Sequence, residues 1–265
     1  MLGAIIGDLA GSIYEFDQMK EVKKIKVKKL IEDNAFFSDD TILTMAIADA
    51  IINRGDYGKS LRKWTKKYES YRPNFEPYFK TTFSPNYTKW AASNTSGNSL
   101  GNGAMMRISP VGEFFESEEE VVRHAQLATI PSHNTEEAVQ CATTIALIIF
   151  YARQGLSKEE IISKLNIKLK RPHIEKFNYT CSDTIDVCLY SIFTTDNFED
   201  AIRKAISYGG DTDTNACIVG SMAEAMYGID DTLKQKVYSI LPIDMIQVLN
   251  EFYDAINARD HNHEP

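Results

Sequence analysis

From Glu136 to Tyr151 the chain is apolar almost all the way round a helical wheel. A helix with no polar face has to be enclosed by other elements, so this stretch is expected to cross a core. Gly155 stops it, and Ser157 with Glu160 forms a capping box for a short helix running to about Leu165. After Thr41, a broad apolar face of Ile42, Leu43, Met45, Ala46, Ile47, Ala50 and Ile51 runs until Gly55. The same period predicts helices at about 182–194, 198–208, 213–227, 230–239 and 243–258. Alternation of the strand kind is nearly absent; the exception is Val22 to Leu30, where lysines alternate with Ile25 and Val27. The pattern therefore specifies an all-α chain. Without a linker, internal repeat or low-complexity tract, residues 1–265 are expected to form one compact helical domain.

Two stretches resist a helical reading. Arg72 to Gly103 is rich in Pro, Asn, Ser and Thr and is long for a structureless loop, so it is functional or partly helical. Lys168 to Cys181 is the second break.

Charge and composition exclude several classes. A net charge of -8 opposes a dedicated nucleic-acid surface, which needs a positive field to replace counterions. Six lysines between positions 20 and 29 run against that balance; they read as a solvated edge with two apolar anchors. No apolar run reaches the roughly 20 residues of a membrane span, and Ala142 to Tyr151 suits a buried helix. The first eight residues lack a basic region and end on Asp8, unlike a secretion signal, so a cytoplasmic protein is expected, as a monomer or weak oligomer. Cys141, Cys181, Cys188 and Cys217 form no CxxC and are expected to be buried free thiols.

Two acidic patches stand at helix starts: Ser38-Asp39-Asp40-Thr41, and Gly209-Gly210-Asp211-Thr212-Asp213-Thr214-Asn215. Either alone is explained by capping, because Ser, Thr and Asp are preferred N-caps and acids complement the helix dipole. Taken together they offer four carboxylates and several hydroxyls, with no Lys or Arg beside them in sequence. Carboxylates packed closely repel unless a cation sits among them, and hard divalent ions such as Mg²⁺ and Mn²⁺ take such oxygen ligands. The double glycine before Asp211 allows backbone or substrate to approach closely. A prenyl-diphosphate synthase would carry DDxxD, whereas Asp39-Asp40 runs into Thr41-Ile42-Leu43. A His-Asp phosphohydrolase would place histidines beside the acids, and none is there.

These patches, in this order, resemble the ADP-ribosylglycohydrolases. Three further segments are similar to that family: Gly3-Ala4-Ile5-Ile6-Gly7-Asp8 with Gly11 and Glu15-Phe16; Gly101-Asn102-Gly103-Ala104-Met105-Met106-Arg107 with Pro110-Val111-Gly112; and Ser132-His133 with Glu137-Ala138. The resemblance implies an all-α, orthogonally packed fold holding two Mg²⁺ or Mn²⁺ ions. It implies metal ligands at Ser38, Asp39, Asp40, Asp211, Asp213 and Thr214, with the ions gripping the 2′ and 3′ hydroxyls of the distal ribose and a water. It implies a catalytic acid at Glu15, with Glu15 or a water near Asp39 as general base. Ser99, Gly101, Asn102 and Gly103 would cradle the diphosphate, His133 would lie against ADP-ribose, and Gly210 would border the substrate. Arg107 reads equally as a structural ion-pair partner or a substrate contact.

The implied activity is metal-dependent cleavage of the glycosidic bond between ADP-ribose and an acceptor, most simply an ADP-ribosylated protein side chain. The first patch opens on Ser38 where relatives carry Thr, which keeps the hydroxyl. Some relatives carry an acid in the loop that here reads Thr81 to Trp90, and this chain has none from Phe79 to Trp90. Leu100 stands where several relatives place an aromatic. The alternatives are a catalytically impaired ADP-ribose- or metal-binding protein, or a hydrolase of ADP-ribosylated nucleic acid or small molecules.

Overall fold

The opening helix, Leu2–Ser12, is buried at every one of its positions, although it carries three glycines and no large aromatic. Its partner is the helix Thr212–Tyr227, itself buried from Thr212 through Ala223. Gly3, Gly7 and Gly11 recur every four residues and so share one helical face. A Cβ added to Gly3 would come within 2.1 Å of the Gly220 carbonyl oxygen, to Gly7 within 2.0 Å of that of Ala216, and to Gly11 within 2.2 Å of that of Thr212. The two backbones are therefore in direct contact along three turns.

These coordinates are a computed structural model and describe residues 1–76, 78 and 80–261, the side chains of 260 and 261 excepted. Among the described residues the regular structure is helical, with two isolated β-bridges, Asn98 to His133 and Gly101 to Thr180. The helices Phe198–Ser207, Cys181–Phe193 and Glu136–Arg153 surround Thr212–Tyr227. Asp39–Ile52 packs between Tyr57–Tyr68 and the closing helix Ile243–His261. No helix among the described residues is long and apolar enough to cross a membrane. The four cysteines are free and buried, as expected.

The predicted all-round burial of Glu136–Arg153 holds over Ile145 to Tyr151, while Glu136 and Gln140 are exposed. The Ser157–Glu160 capping box is present. The helix expected to start at the Ser38 to Thr41 patch begins at Asp39, where the Ser38 hydroxyl accepts from the Asp40 amide at 3.2 Å. It ends at Ile52, before Gly55, where Arg54 turns to φ 50°. The segment from Val22 to Leu30 forms no strand: the Ile25 amide donates to the Ser207 carbonyl at a helix end, which offers no ladder to continue. Arg72 to Gly103 contains a short helix, Pro85–Ala91, capped by Ser84. Lys168 to Thr180 has no helix among its residues.

The close helix contact generates a stability prediction. Gly7→Ala places a methyl against backbone that cannot rotate away, so it should cost about 2 kcal/mol, as overpacked cores do. A Tm lowered by roughly 4–8 °C in calorimetry is expected for a chain of this size; an unchanged Tm would contradict the contact.

Candidate functional site

Asp8 is the residue that the glycine contact delivers. It lies on the opening helix with no solvent exposure, and four groups donate to it. Its Oδ2 accepts from the Ser38 amide at 2.8 Å, the Thr41 amide at 3.2 Å and the Thr41 hydroxyl at 2.6 Å; its Oδ1 accepts from the Ser38 hydroxyl at 2.7 Å. Asp8 thus receives the N-terminus of the helix Asp39–Ile52 and orients the first acidic patch. Ser38 Oγ also lies 3.0 Å from Asp40 Oδ2, and the Thr214 hydroxyl reaches the same oxygen at 3.2 Å from the second patch.

The two patches, far apart in sequence, meet here. Carboxylate oxygens of Asp8, Asp40 and Asp213 lie within 4.8 Å of one another, and so do those of Glu15, Asp211 and Asp213. Asp213 belongs to both groups, and all five residues are buried. The capping explanation does not account for these acids. Ser38 caps the first helix with its hydroxyl, and Asp211, at the N-cap of the second, makes no side-chain capping bond. Asp213 does accept from the Thr214 amide at 2.9 Å.

The acids perturb one another strongly. Burial and the neighbouring Asp213 raise the Asp8 carboxyl to about 7 against the Ser38 and Thr41 hydrogen bonds. Burial, then Asp213 and Asp8, hold Asp40 well above the carboxylate range, and burial with Asp213 and Glu15 does the same for Asp211. Burial also lifts Asp39 to about 6, opposed by Lys80. Glu15 is raised well above its ordinary value by burial and Asp213, against the pull of Lys80. Asp40 Oδ1 and Glu15 Oε2 are buried with no hydrogen-bond partner among the described residues. Unpaired buried oxygens in an all-oxygen donor set fit hard divalent cations, which would satisfy them and offset the repulsion.

Glu15, Asp39, Asp40, Asp211, Asp213 and Thr214 line one side of a cavity of about 810 Å³, a volume suited to a nucleotide-sized ligand. Asp39 belongs to neither carboxylate group. The other side holds Ser99, Gly101, Asn102, Gly103 and His133. Asn102 ties the two sides together, because its Nδ2 donates to Asp211 Oδ2 at 2.7 Å. His133 is buried beside the glycine loop, and its Nδ1 lies 2.7 Å from the Ser132 hydroxyl. Burial, with Arg107 nearby, depresses its pKa well below the ordinary value, so the ring is neutral. Arg107 makes no expected ion pair with a carboxylate; its Nη2 donates to the Ala128 carbonyl at 3.0 Å and to Ser132 Oγ at 2.8 Å.

Some sequence expectations change with the geometry. Gly210 has φ 78°, and a Cβ there would come within 2.1 Å of Asn178 Oδ1. The close approach that its glycine allows is therefore made by the protein's own Asn178. Of the glycine-loop amides, that of Ser99 donates to the Ser132 carbonyl, that of Gly101 to Ser99 Oγ and that of Asn102 to the Tyr179 carbonyl. Asp8 and Lys80 were missed as site residues. The signal for Asp8 was available, since it is a lone acid in an apolar helix; Lys80 has no local signal. The exposed rim side chains Met19, Leu100 and Tyr179 were likewise not found as a set.

Comparison with known proteins places this geometry. A sequence model of the ADP-ribosylglycohydrolase family matches residues 1–262. An ADP-ribosylarginine hydrolase Tri1 of Serratia proteamaculans is 26% identical over 96% of this chain and 78% of its own. The ADP-ribosyl-[dinitrogen reductase] glycohydrolase of Rhodospirillum rubrum is 22% identical over 87% of this chain and 85% of its own. A solved chain described as an ADP-ribosylglycohydrolase-related protein complex aligns with a TM-score of 0.72, covering 96% of each chain at 19% identity, which is a likeness of fold.

A linkage prediction follows from the carboxyls. Asp8 and Asp39 titrate near 7 and 6 in the folded chain against 3.8 unfolded, so their protons favour folding. That contribution is complete below pH 3.8 and is lost as pH rises through 6 and 7. A divalent cation bound at these carboxyls would replace those protons. In chelator-treated protein the rise in Tm on adding Mn²⁺ should therefore be larger at pH 8 than at pH 5, by differential scanning fluorimetry. An equal rise at both would contradict the carboxyls' role.

Proposed function

Because the chain belongs to the ADP-ribosylglycohydrolase family, we propose that it is a metal-dependent hydrolase of the glycosidic bond between ADP-ribose and an acceptor, most simply a protein side chain. The observation that carries this reading is the pair of buried carboxylate groups sharing Asp213 at one side of the cavity. Two Mg²⁺ or Mn²⁺ ions would be held by Asp8, Asp40 and Asp213 and by Asp211, Asp213 and Glu15, with the hydroxyls of Ser38 and Thr214 alongside. When bound, such ions polarise ribose hydroxyls and fix the sugar for attack at its anomeric carbon.

The protein's own groups do the rest. Glu15 is buried, lines the cavity and has its pKa raised by burial, so it is the carboxyl placed to exchange a proton with the departing acceptor or with the attacking water. Asp39, outside both carboxylate groups, is the second acid within reach of the cavity. The diphosphate would lie along the glycine loop. With the Ser99, Gly101 and Asn102 amides engaged inside the protein, its contacts fall to the amides of Leu100 and Gly103. Arg107 fills an acceptor position of Ser132, so the Ser132 hydroxyl can donate to His133 Nδ1. That tautomer keeps a proton on Nε2, the ring nitrogen nearest Gly101 and Gly103, as a neutral donor to the ligand.

The names of the relatives suggest the acceptor class. The Serratia protein is named for ADP-ribosylarginine and the Rhodospirillum protein for dinitrogen reductase, and both describe ADP-ribose on protein. A binder without turnover is the second reading, favoured by Lys80, which occupies Glu15 from the loop where an acid would otherwise assist. Asp213→Ala should reduce Mn²⁺-dependent release of ADP-ribose from ADP-ribosylated arginine or serine peptides by more than about a hundredfold, since even outer-shell metal partners cost 10–100-fold. Full activity in this variant would overturn the mechanism. Tight ADP-ribose binding by calorimetry, with no release from any of these substrates by the wild type, would favour the binder.

A further inference from the structure

Among the cavity-lining residues are two side chains that carry fixed positive charge, Lys80 and Arg107. Arg107 is committed to Ala128 and Ser132 on the glycine-loop side. Lys80 faces the acids: its ammonium forms an ion pair with Glu15 Oε1 and interacts with Asp213 and Asp39. The side chain of Lys80 is 28% exposed and that of Glu15 only 4%. The pair thus closes the outer edge of the acidic side of the cavity. The ammonium also lies 5.6 Å from the centre of the Phe16 ring, next to Glu15 in sequence.

Lys80 is not on a helix. It is carried by the irregular run between Tyr57–Tyr68 and Pro85–Ala91. Aromatic contacts fasten that run to the site: Tyr78 packs edge-on against Phe16 at 5.1 Å, and Phe75 lies 5.0 Å from Phe36. Phe16 follows Glu15, and Phe36 lies two residues before Ser38, so the run is anchored on both segments that lead into the acids.

We infer that Lys80 is a tethered counter-cation of the acidic cavity, a positioning residue that competes with divalent metal for Glu15 and so sets the metal affinity of the site. This rests on the metal-site reading above. The charges support it. Asp8, Glu15, Asp40, Asp211 and Asp213 form the two close carboxylate groups, Asp39 lines the same cavity, and the Lys80 ammonium acts on Glu15, Asp213 and Asp39. Glu15 is shared: one oxygen pairs with Lys80, and the residue also belongs to a carboxylate group with Asp211 and Asp213. An ion that takes Glu15 as ligand must overcome both the existing pair and the repulsion of the ammonium. The cost grows with the charge product, so a divalent ion meets twice the repulsion of a monovalent one.

The test is calorimetric titration of chelator-treated protein with Mn²⁺ alone, with Tm recorded in the same samples. Lys80→Met should tighten Mn²⁺ binding at least about tenfold and lower the Tm of the metal-free protein, because the acids lose their cation. Lys80→Arg keeps the charge and should bind as the wild type does. A residue with a merely structural role would lower Tm and weaken binding together, so opposite signs are diagnostic. Lys80→Gln serves the same comparison should the methionine variant fail to fold. Unchanged or weaker Mn²⁺ binding in the neutral variants, with the wild type binding normally, overturns the role of Lys80 alone. A wild type that takes up no Mn²⁺ overturns the metal-site reading and this inference with it.

Discussion

The backbone contact between Leu2–Ser12 and Thr212–Tyr227 determines where every acid of the site can stand. Side chains the size of alanine at Gly3, Gly7 and Gly11 would hold the two helices apart, since the positions that a Cβ would occupy overlap carbonyl oxygens of the partner. Close approach has two consequences. It buries the opening helix completely, which forces its one acid, Asp8, to find donors inside the protein. It also sets Asp8 beside Asp213, where like charges raise the pKa of Asp8. Packing and electrostatics are thus the same event: the contact that stabilises the fold creates the repulsion that a bound cation would relieve.

That repulsion is concentrated rather than spread. Ser38, Thr41, Thr214 and Asn102 all donate to carboxylates of the cluster, so the acids are oriented by hydrogen bonds even though their charges are not balanced by them. Those hydrogen bonds fix geometry and offset part of the desolvation, and positive charge is needed to offset the rest. Lys80 supplies a single unit from the edge. Asp213, which joins both groups, forms no direct ion pair among the described residues, and the Lys80 charge acts on it only at longer range. A rigid, oriented and under-neutralised set of oxygens is what a preorganised metal site requires.

The cavity opposite the acids has a different character. Its floor is the glycine loop, stitched to neighbouring segments by backbone pairs at Asn98–His133 and Gly101–Thr180. Its rim exposes Leu100 and Tyr179, which those pairs place on adjacent segments. On the function proposed above, the acidic side would take the ribose, and the loop side with its exposed Leu100 and Tyr179 would take the diphosphate and base.

Much of this was legible in sequence, and the limits have physical causes. Helical periodicity and capping identified the all-α class and placed the helix starts that were named within one or two residues, because both are local properties of the chain, but they left Tyr57–Tyr68 and Glu118–Thr129 unread. The ordered blocks from Gly3 to Asn215 pointed to the family. What the sequence could not rank was burial: it marked Glu136 to Tyr151 as the enclosed helix, whereas the glycine-rich opening helix is enclosed more completely, since burial there comes from close backbone approach and not from hydrophobicity. It paired the patches by analogy but left Asp8 out of the ligand set, since a lone acid in an apolar helix acquires meaning only from what packs against it. It attributed the close approach at the double glycine to backbone or substrate; the Lys23 carbonyl does press on Gly209, whereas at Gly210 it is the Asn178 side chain. Lys80 is the clearest case. Nothing local distinguishes it from other lysines, and only the placement of Phe75, Tyr78 and Lys80 against Phe36, Phe16 and Glu15 makes it part of the site. The sequence by itself determined the helices, the family and the acids; tertiary structure alone decided which charges face one another, because electrostatic partnership depends on distance through space.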